Sequence, residues 1–104
     1  MEGSESSEGY SVTSEAQSVV DAARAAGLTV GCAESLTGGL VASDIVAIPG
    51  ASAVFRGGIV AYDSMLKNDF LGVDASSLAR EGAVTAEVAS AMAEGALTRL
   101  GVDV

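Results

Sequence analysis

Residues 31–40 read GCAESLTGGL, and this stretch decides the fold because it joins a buried strand to a helix through a short polar turn. Upstream, Leu28–Cys32 is apolar and of strand length, which is typical of a buried parallel strand. Downstream, Thr37 can cap a helix that runs through Leu40, Val41, Ile45 and Val46 and ends before Pro49. A strand that runs directly into a helix predicts a layered α/β domain.

The same alternation continues outward from this stretch in both directions. Apolar residues at helical spacing predict a first helix over residues 15–26, which Gly27 ends. Phe55–Tyr62 is the next predicted strand, and Gly57 and Gly58 within it indicate a bulge or a close backbone approach. Three further helices are predicted, over 64–71 with Asp63 or Ser64 as the cap, over 75–80 with Asp74 as the cap, and over 86–100 with Thr85 as the cap. Residues 102–104 are predicted to begin a third strand.

Composition limits the chain to one domain and excludes several functions. The 104 residues include 49% hydrophobic and only 4% aromatic residues, so Ala, Val, Leu and Ile must build the core. With one cysteine and no histidine, we expect neither a disulfide nor a metal site, and no cofactor. A net charge of −9 argues against nucleic-acid binding, which requires clustered cations.

The N-terminal residues and the longest apolar run indicate where the domain begins and whether the chain could enter a membrane. Residues 1–13 are acidic and polar, which predicts a disordered tail before a domain over 14–104. The uncharged run over 45–55 is interrupted by Pro49 and is too short to span a bilayer. We therefore expect a cytoplasmic protein with no membrane partner.

The strand–helix junction is also the first candidate for chemistry. Backbone N–H groups gather at a helix N-terminus and attract phosphate or a developing oxyanion, and Ser35 lies at this point. The alternative is that Ser35 and Thr37 only cap the helix while the glycines permit close packing. A second candidate is the S-x-x-K spacing of Ser64 and Lys67, which one helical turn brings together, but the other elements of that enzyme class are missing.

Four motifs in the same order and spacing carry a family resemblance. They are AESLTGG at 33–39, PGAS at 49–52, FRGGIVAY at 55–62 and EGAVTAEVA at 81–89. With Lys67 and the LGV at 71–73, they make residues 15–104 resemble the CinA C-terminal family. Several motifs in register make chance similarity improbable, whereas a single glycine motif would be weak.

This resemblance implies a three-layer α/β/α fold and hydrolysis of the carboxamide of nicotinamide mononucleotide to the acid and ammonia. In such a domain Ser35 is the implied nucleophile, with Tyr62 and Lys67 assisting, and Lys67 is able to take the serine proton if it is desolvated. The absence of histidine agrees with this assignment, because a serine nucleophile must then find another base. The implied substrate contacts are Thr37, Gly38, Gly39, Arg56, Gly57 and Gly58.

The chain departs from the family pattern after Val104. The later glycine-rich strand, a K-P-V-G-type segment and an arginine of the nucleotide site are missing, so we expect an incomplete sheet. The alternative function is therefore a truncated, non-catalytic remnant that binds nucleotide or oligomerises, and a homo-oligomer is left open. A third reading is an acidic α/β interaction module without turnover.

Overall fold

The computed structural model describes residues 13–104, and within them five α-helices surround a small parallel sheet. The helices are α1 Thr13–Ala26, α2 Leu40–Val46, α3 Ser64–Leu71, α4 Ala75–Glu81 and α5 Ala86–Leu100. The strands are β1 Val30–Glu34 and β2 Phe55–Val60, with a 3-10 turn at Ala51–Ala53 before β2. The predicted tail over 1–13 lies outside the described residues except for Thr13, where α1 begins.

Most element boundaries follow from local signals. The side chains of Asp63, Asp74 and Thr85 accept hydrogen bonds from the first turns of α3, α4 and α5, as predicted. Gly72 and Gly101 end α3 and α5 in left-handed conformations, at φ 70° and 65°. The residues that cap and end these helices could therefore be predicted without knowledge of the tertiary structure.

Two boundaries differ from the sequence prediction. β1 begins two residues later than expected, at Val30, and extends to Glu34. α2 begins at Leu40 after an uncapped Gly39, so the prediction that Thr37 caps this helix is wrong. Thr37 lies instead in a tight turn whose carbonyl accepts the Leu40 N–H at 3.0 Å.

The strands are parallel, and a bulge near their beginning shifts their register. Val30 pairs with Phe55 but Gly31 pairs with Gly57, so Arg56 is the extra residue of β2. A Cβ at Gly58 would lie 2.7 Å from Cys32 Sγ, which confirms the close approach predicted there. On the other side of β1, Val104 donates to Thr29 O and accepts from Gly31 N, but the predicted third strand does not form, and the sheet within residues 13–104 has two strands.

Two apolar clusters lie on opposite faces of the sheet and produce the three layers. One cluster contains Val20 of α1, Val30 of β1 and Ile45 of α2. The other contains Leu71 of α3 and Met92 of α5. Within the second cluster, α5 crosses α3 at Gly95, directly against the Leu71 carbonyl. The predicted α/β/α layering is confirmed. In residues 13–104 no helix is both long and apolar enough to cross a membrane.

Candidate functional site

The carboxyl edge of the sheet carries the candidate site. Ser35 directly follows β1, and Tyr62 lies two residues after β2. The two strand ends are held side by side, because Glu34 pairs with Val60 and the Ala61 N–H donates to Glu34 O at 2.8 Å. Polar groups that follow adjacent parallel strands gather at one edge, which is where α/β domains place their ligands.

A cavity of about 470 Å³ opens beside Ser35. Its walls come from the turn after β1 and from the beginning of α5, which packs against β1. This volume is within the range of roughly 300–1,000 Å³ that is usual for small-molecule sites. The lining residues are Ala33, Glu34, Ser35, Leu36, Thr37, Ala83, Val84, Thr85, Ala86, Ala89 and Met92.

Glu34 organises the turn that carries Ser35. Its carboxylate is 4% exposed and accepts three backbone hydrogen bonds, from Gly39 and Val41 at 3.0 Å and from Ala42 at 2.9 Å. Burial acts to raise the pKa of this carboxyl, but these bonds and one from the Thr37 side chain outweigh it and hold the pKa below its usual value. An acid at the end of a strand therefore caps the next helix.

This capping changes what the glycines of the turn offer to a ligand. The Gly39 N–H is donated to Glu34, and the Gly38 N–H is donated to Ser35 O at 3.1 Å. A phosphate at these predicted contacts would have to displace internal hydrogen bonds. The N–H groups of Leu36 and Thr37, by contrast, have no hydrogen-bond partner within residues 13–104 and belong to residues that line the cavity.

Lys67 is a buried lysine at the same edge of the sheet. Its side chain is 1% exposed, and Nζ donates a hydrogen bond of 2.6 Å to the backbone carbonyl of Tyr62. No carboxylate of the described chain lies within ion-pair distance of Lys67 Nζ. Tyr62 itself is 74% exposed, and neither side chain lines the cavity beside Ser35.

Cys32 lies close to Ser35 but is a poor nucleophile. Burial, followed by the charge of Glu34 and the 3.8 Å hydrogen bond to it, raises the pKa of the Cys32 thiol to about 11. The thiol is therefore protonated at neutral pH.

The structure does not bring all of the predicted contacts together. Arg56 and Gly57 are at the beginning of β2, beside Val30 and Gly31, and they line a different cavity. At a strand rise of about 3.3 Å per residue, Ser35 lies roughly 15 Å from that level of the sheet. Gly58 is between the two ends and packs against Cys32.

Sequence reasoning missed two parts of the site. The sequence predicts no role for Glu34, whose capping of α2 follows from the path of the turn between β1 and α2. Thr85 and Ala86 were read only as the beginning of α5, and their contribution to the cavity follows from the packing of α5 on β1.

The fold and the site together define a class: a three-layer α/β domain with a serine at the carboxyl edge of β1 and a buried lysine after β2. Residues 12–104 match the family described as the CinA C-terminal domain. The chain belongs to this family.

Known relatives agree with this assignment. A CinA-like protein of Leptospira borgpetersenii is 53% identical over 76 residues, which are 73% of this chain and 18% of the relative. A CinA-like protein of Frankia casuarinae is 55% identical over 73 residues, 70% of this chain and 17% of the relative. The chain thus spans less than a fifth of the length of these relatives.

Solved structures show the same fold. A competence/damage inducible protein from Agrobacterium tumefaciens superposes with a TM-score of 0.84 at 39% identity, covering 91% of this chain and 58% of that one. A CinA superfamily protein from Escherichia coli gives a TM-score of 0.85 at 32% identity, covering 88% of this chain and 54% of that one.

Proposed function

We propose that this domain is a cytoplasmic amidohydrolase that converts nicotinamide mononucleotide to the corresponding acid and ammonia. The observation that carries the proposal is Lys67, which is buried at the carboxyl edge of the sheet with Nζ on the Tyr62 carbonyl. An ordinary lysine is solvated, and removing one from water without a carboxylate partner is costly. A lysine kept away from water at the same edge of the sheet as Ser35 is suited to act as its base.

In the proposed reaction Ser35 Oγ attacks the carboxamide carbon while its proton passes to Lys67 in the amine form. The Leu36 and Thr37 N–H groups stabilise the oxyanion of the tetrahedral intermediate. The C–N bond then breaks, and the leaving nitrogen takes the proton from Lys67 and departs as ammonia. Water attacks the resulting ester, which releases the acid and restores Ser35 Oγ–H, while Tyr62 orients the carboxamide or relays the proton.

The test is to measure ammonia and acid formed from nicotinamide mononucleotide by the purified chain. We expect Ser35→Ala and Lys67→Met each to reduce kcat by about 10³-fold or more, because each removes a group that acts on the reacting atoms. Methionine keeps the volume of the buried lysine side chain. Ser43→Ala, on the exposed face of α2, is the matched control and should leave kcat unchanged.

Two results would decide against the proposal. Turnover that survives Ser35→Ala would remove Ser35 from the mechanism. Nucleotide binding without turnover in the unmodified chain would favour the non-catalytic nucleotide-binding alternative.

A further inference from the structure

The side of β2 that faces away from β1 is an open sheet edge. The Ala61 N–H donates to Glu34 O at 2.8 Å, so every second residue of β2 directs its backbone groups toward β1. Gly58 and Val60, which lie between those residues, direct their N–H and C=O groups to the outer side. Within residues 13–104 the sheet has two strands, and no backbone group pairs with Gly58 or Val60 on this outer side.

Most of this edge lacks the features that usually prevent another chain from pairing. Residues 57–62 read GGIVAY and contain neither a charged residue nor a proline, which are common means of blocking an edge strand. Gly58 is exposed and has no side chain, so solvent reaches its backbone directly, and the Val60 side chain is 48% exposed. The bulge at Arg56 interrupts only the beginning of the strand. The rest of the edge can accept a further strand.

The two ends of β2 carry opposite charges. Arg56 is at the beginning of the strand and Asp63 lies three residues after its end, and both are exposed. Arg56 Nη1 donates to Ser52 O at 3.5 Å, which is a long and therefore weak hydrogen bond, and no carboxylate of residues 13–104 is within ion-pair distance of Arg56. A strand with a cation at one end and an anion at the other is complementary to a second copy of itself that runs in the opposite direction.

We propose that two copies of this chain pair antiparallel through the outer edges of their β2 strands, with Gly58 opposite the partner's Val60. These two residues then exchange both of their backbone hydrogen bonds, and the two-fold axis repeats the exchange. In this register Arg56 lies opposite the partner's Tyr62 and diagonal to the partner's Asp63, which is within the reach of a long side chain. Arg56 thereby gains a carboxylate partner through a charge-assisted hydrogen bond.

The same pairing adds a cation to the candidate site. Within one chain Arg56 is at the opposite end of the sheet from Ser35, and no cation lines the cavity beside Ser35. Antiparallel pairing brings the partner's Arg56 to the carboxyl edge, two strand spacings or roughly 10 Å from Ser35. A guanidinium has five N–H donors, so it can hold Asp63 and also bind the phosphate of the substrate. This second role rests on the proposed function, whereas the pairing itself does not.

Sedimentation equilibrium of the full chain tests the pairing without any ligand, and we expect a dimer whose fraction rises with protein concentration. Val60→Pro removes an N–H that faces the partner but none that faces β1, so it should abolish the dimer. Arg56→Glu places a second anion beside the partner's Asp63 and should weaken dimerisation about tenfold or more. Arg80→Glu makes the same change of charge at an exposed position of α4 and should leave dimerisation unchanged.

Three results would overturn the pairing. They are a chain that stays monomeric at about 1 mM, a dimer that Val60→Pro leaves intact, and equal weakening by Arg56→Glu and Arg80→Glu, which would show that only the overall charge matters. Circular dichroism identifies variants that are folded. If Val60→Pro is unfolded, the comparison of the two arginine variants decides.

Mixed dimers test whether Arg56 acts in the partner's site. Arg56→Gln should raise KM for nicotinamide mononucleotide more than it lowers kcat, because the phosphate is distant from the reacting atoms. At concentrations where the dimer forms, adding the inactive Ser35→Ala chain should restore the ordinary KM, since each mixed dimer has one site with both Ser35 and Arg56. A KM that mixing leaves raised would overturn the shared site. If no chain shows turnover, the proposed function fails, and sedimentation still decides the pairing.

Discussion

Glu34 shows how one residue can organise the turn between β1 and α2 from outside it. Its carboxylate occupies the helix N-terminus that a phosphate would otherwise use, and it leaves the Leu36 and Thr37 N–H groups for the cavity. Because the three donors belong to Gly39, Val41 and Ala42, the turn and the first turn of α2 are held as one unit. The position of Ser35 therefore depends on Glu34.

Removing this carboxylate should destabilise the domain. Glu34→Ala leaves three backbone N–H groups without their acceptor, and we expect a loss of about 2–4 kcal/mol in the free energy of unfolding. Urea denaturation of the purified variants measures it. Glu94→Ala, on the exposed face of α5, is the control and should change stability by less than about 0.5 kcal/mol. Equal stability of the two variants would contradict the capping role.

The same carboxylate predicts a specific pH dependence. The fold lowers the pKa of Glu34 below its usual 4.5, so its contribution is complete above that value and is lost as the pH falls through the folded-state pKa. The stability difference between the unmodified chain and Glu34→Gln should be constant from pH 7 to about pH 5.5 and shrink below about pH 4.5. Unfolding curves at each pH provide the measurement, and a difference that persists unchanged to pH 3 would exclude Glu34 as its source.

At the scale of elements, the contact between α3 and α5 positions Lys67. Gly95 lies in the middle of α5, where glycine is unfavourable, but a Cβ would run into the Leu71 backbone at the end of α3. The helices can cross this closely only because the side chain is absent. Lys67 is one turn before Leu71, so the crossing also sets the depth at which Lys67 is buried.

Gly95→Ala tests this packing with the smallest available change. In an exposed helix the substitution would raise the free energy of unfolding by up to about 1 kcal/mol. Here we expect it to lower the free energy of unfolding by about 2 kcal/mol or more, because α3 must move. The proposed amidase activity should fall with it, since Lys67 moves with α3. Ser90→Ala, on the exposed face of the same helix, serves as the control. A stabilised Gly95→Ala would show that the helices are not in close contact.

At the scale of the whole molecule, hydrogen bonds on both sides of β1 join distant parts of the chain. β1 pairs with β2 on one side and with Val104 on the other. The second pairing is supported by Asp103, whose Oδ2 accepts from Thr29 N at 2.8 Å and from Thr29 Oγ1 at 3.0 Å. These hydrogen bonds join residues 74 positions apart and keep the end of the described chain against β1.

Asp103→Ala should loosen this pairing without unfolding the core. We expect faster hydrogen exchange at the Gly31 N–H, which donates to Val104 O, while the Val30 N–H, bonded to Val54 O, stays protected. Hydrogen exchange measured by NMR at these two amides distinguishes the pairing on one side of β1 from the pairing on the other. Asp69→Ala, exposed on α3, should change neither amide. Equal acceleration at both amides would indicate global destabilisation instead.

Much of the element order could be predicted, because it rests on local chemistry. Asp63, Asp74 and Thr85 cap helices through N–H groups two or three positions along the chain, and Gly72 and Gly101 end helices through their own backbone freedom. The ordered motifs likewise indicated the family from residue type and spacing alone. Such signals require no knowledge of what packs against them.

The sequence by itself thus determined the alternation of strands and helices, the layered class and the family. Only the tertiary structure decided that Glu34 caps α2, that Lys67 is removed from water, and that Arg56 lies at the opposite end of the sheet from Ser35. The reason is that these outcomes depend on strand register, on a single bulge and on which helix covers which face of the sheet. The burial of Lys67 and the position of Arg56 are settled by contacts between residues far apart in the chain, whereas the Glu34 cap joins residues five to eight positions apart through a turn whose shape the local pattern does not specify.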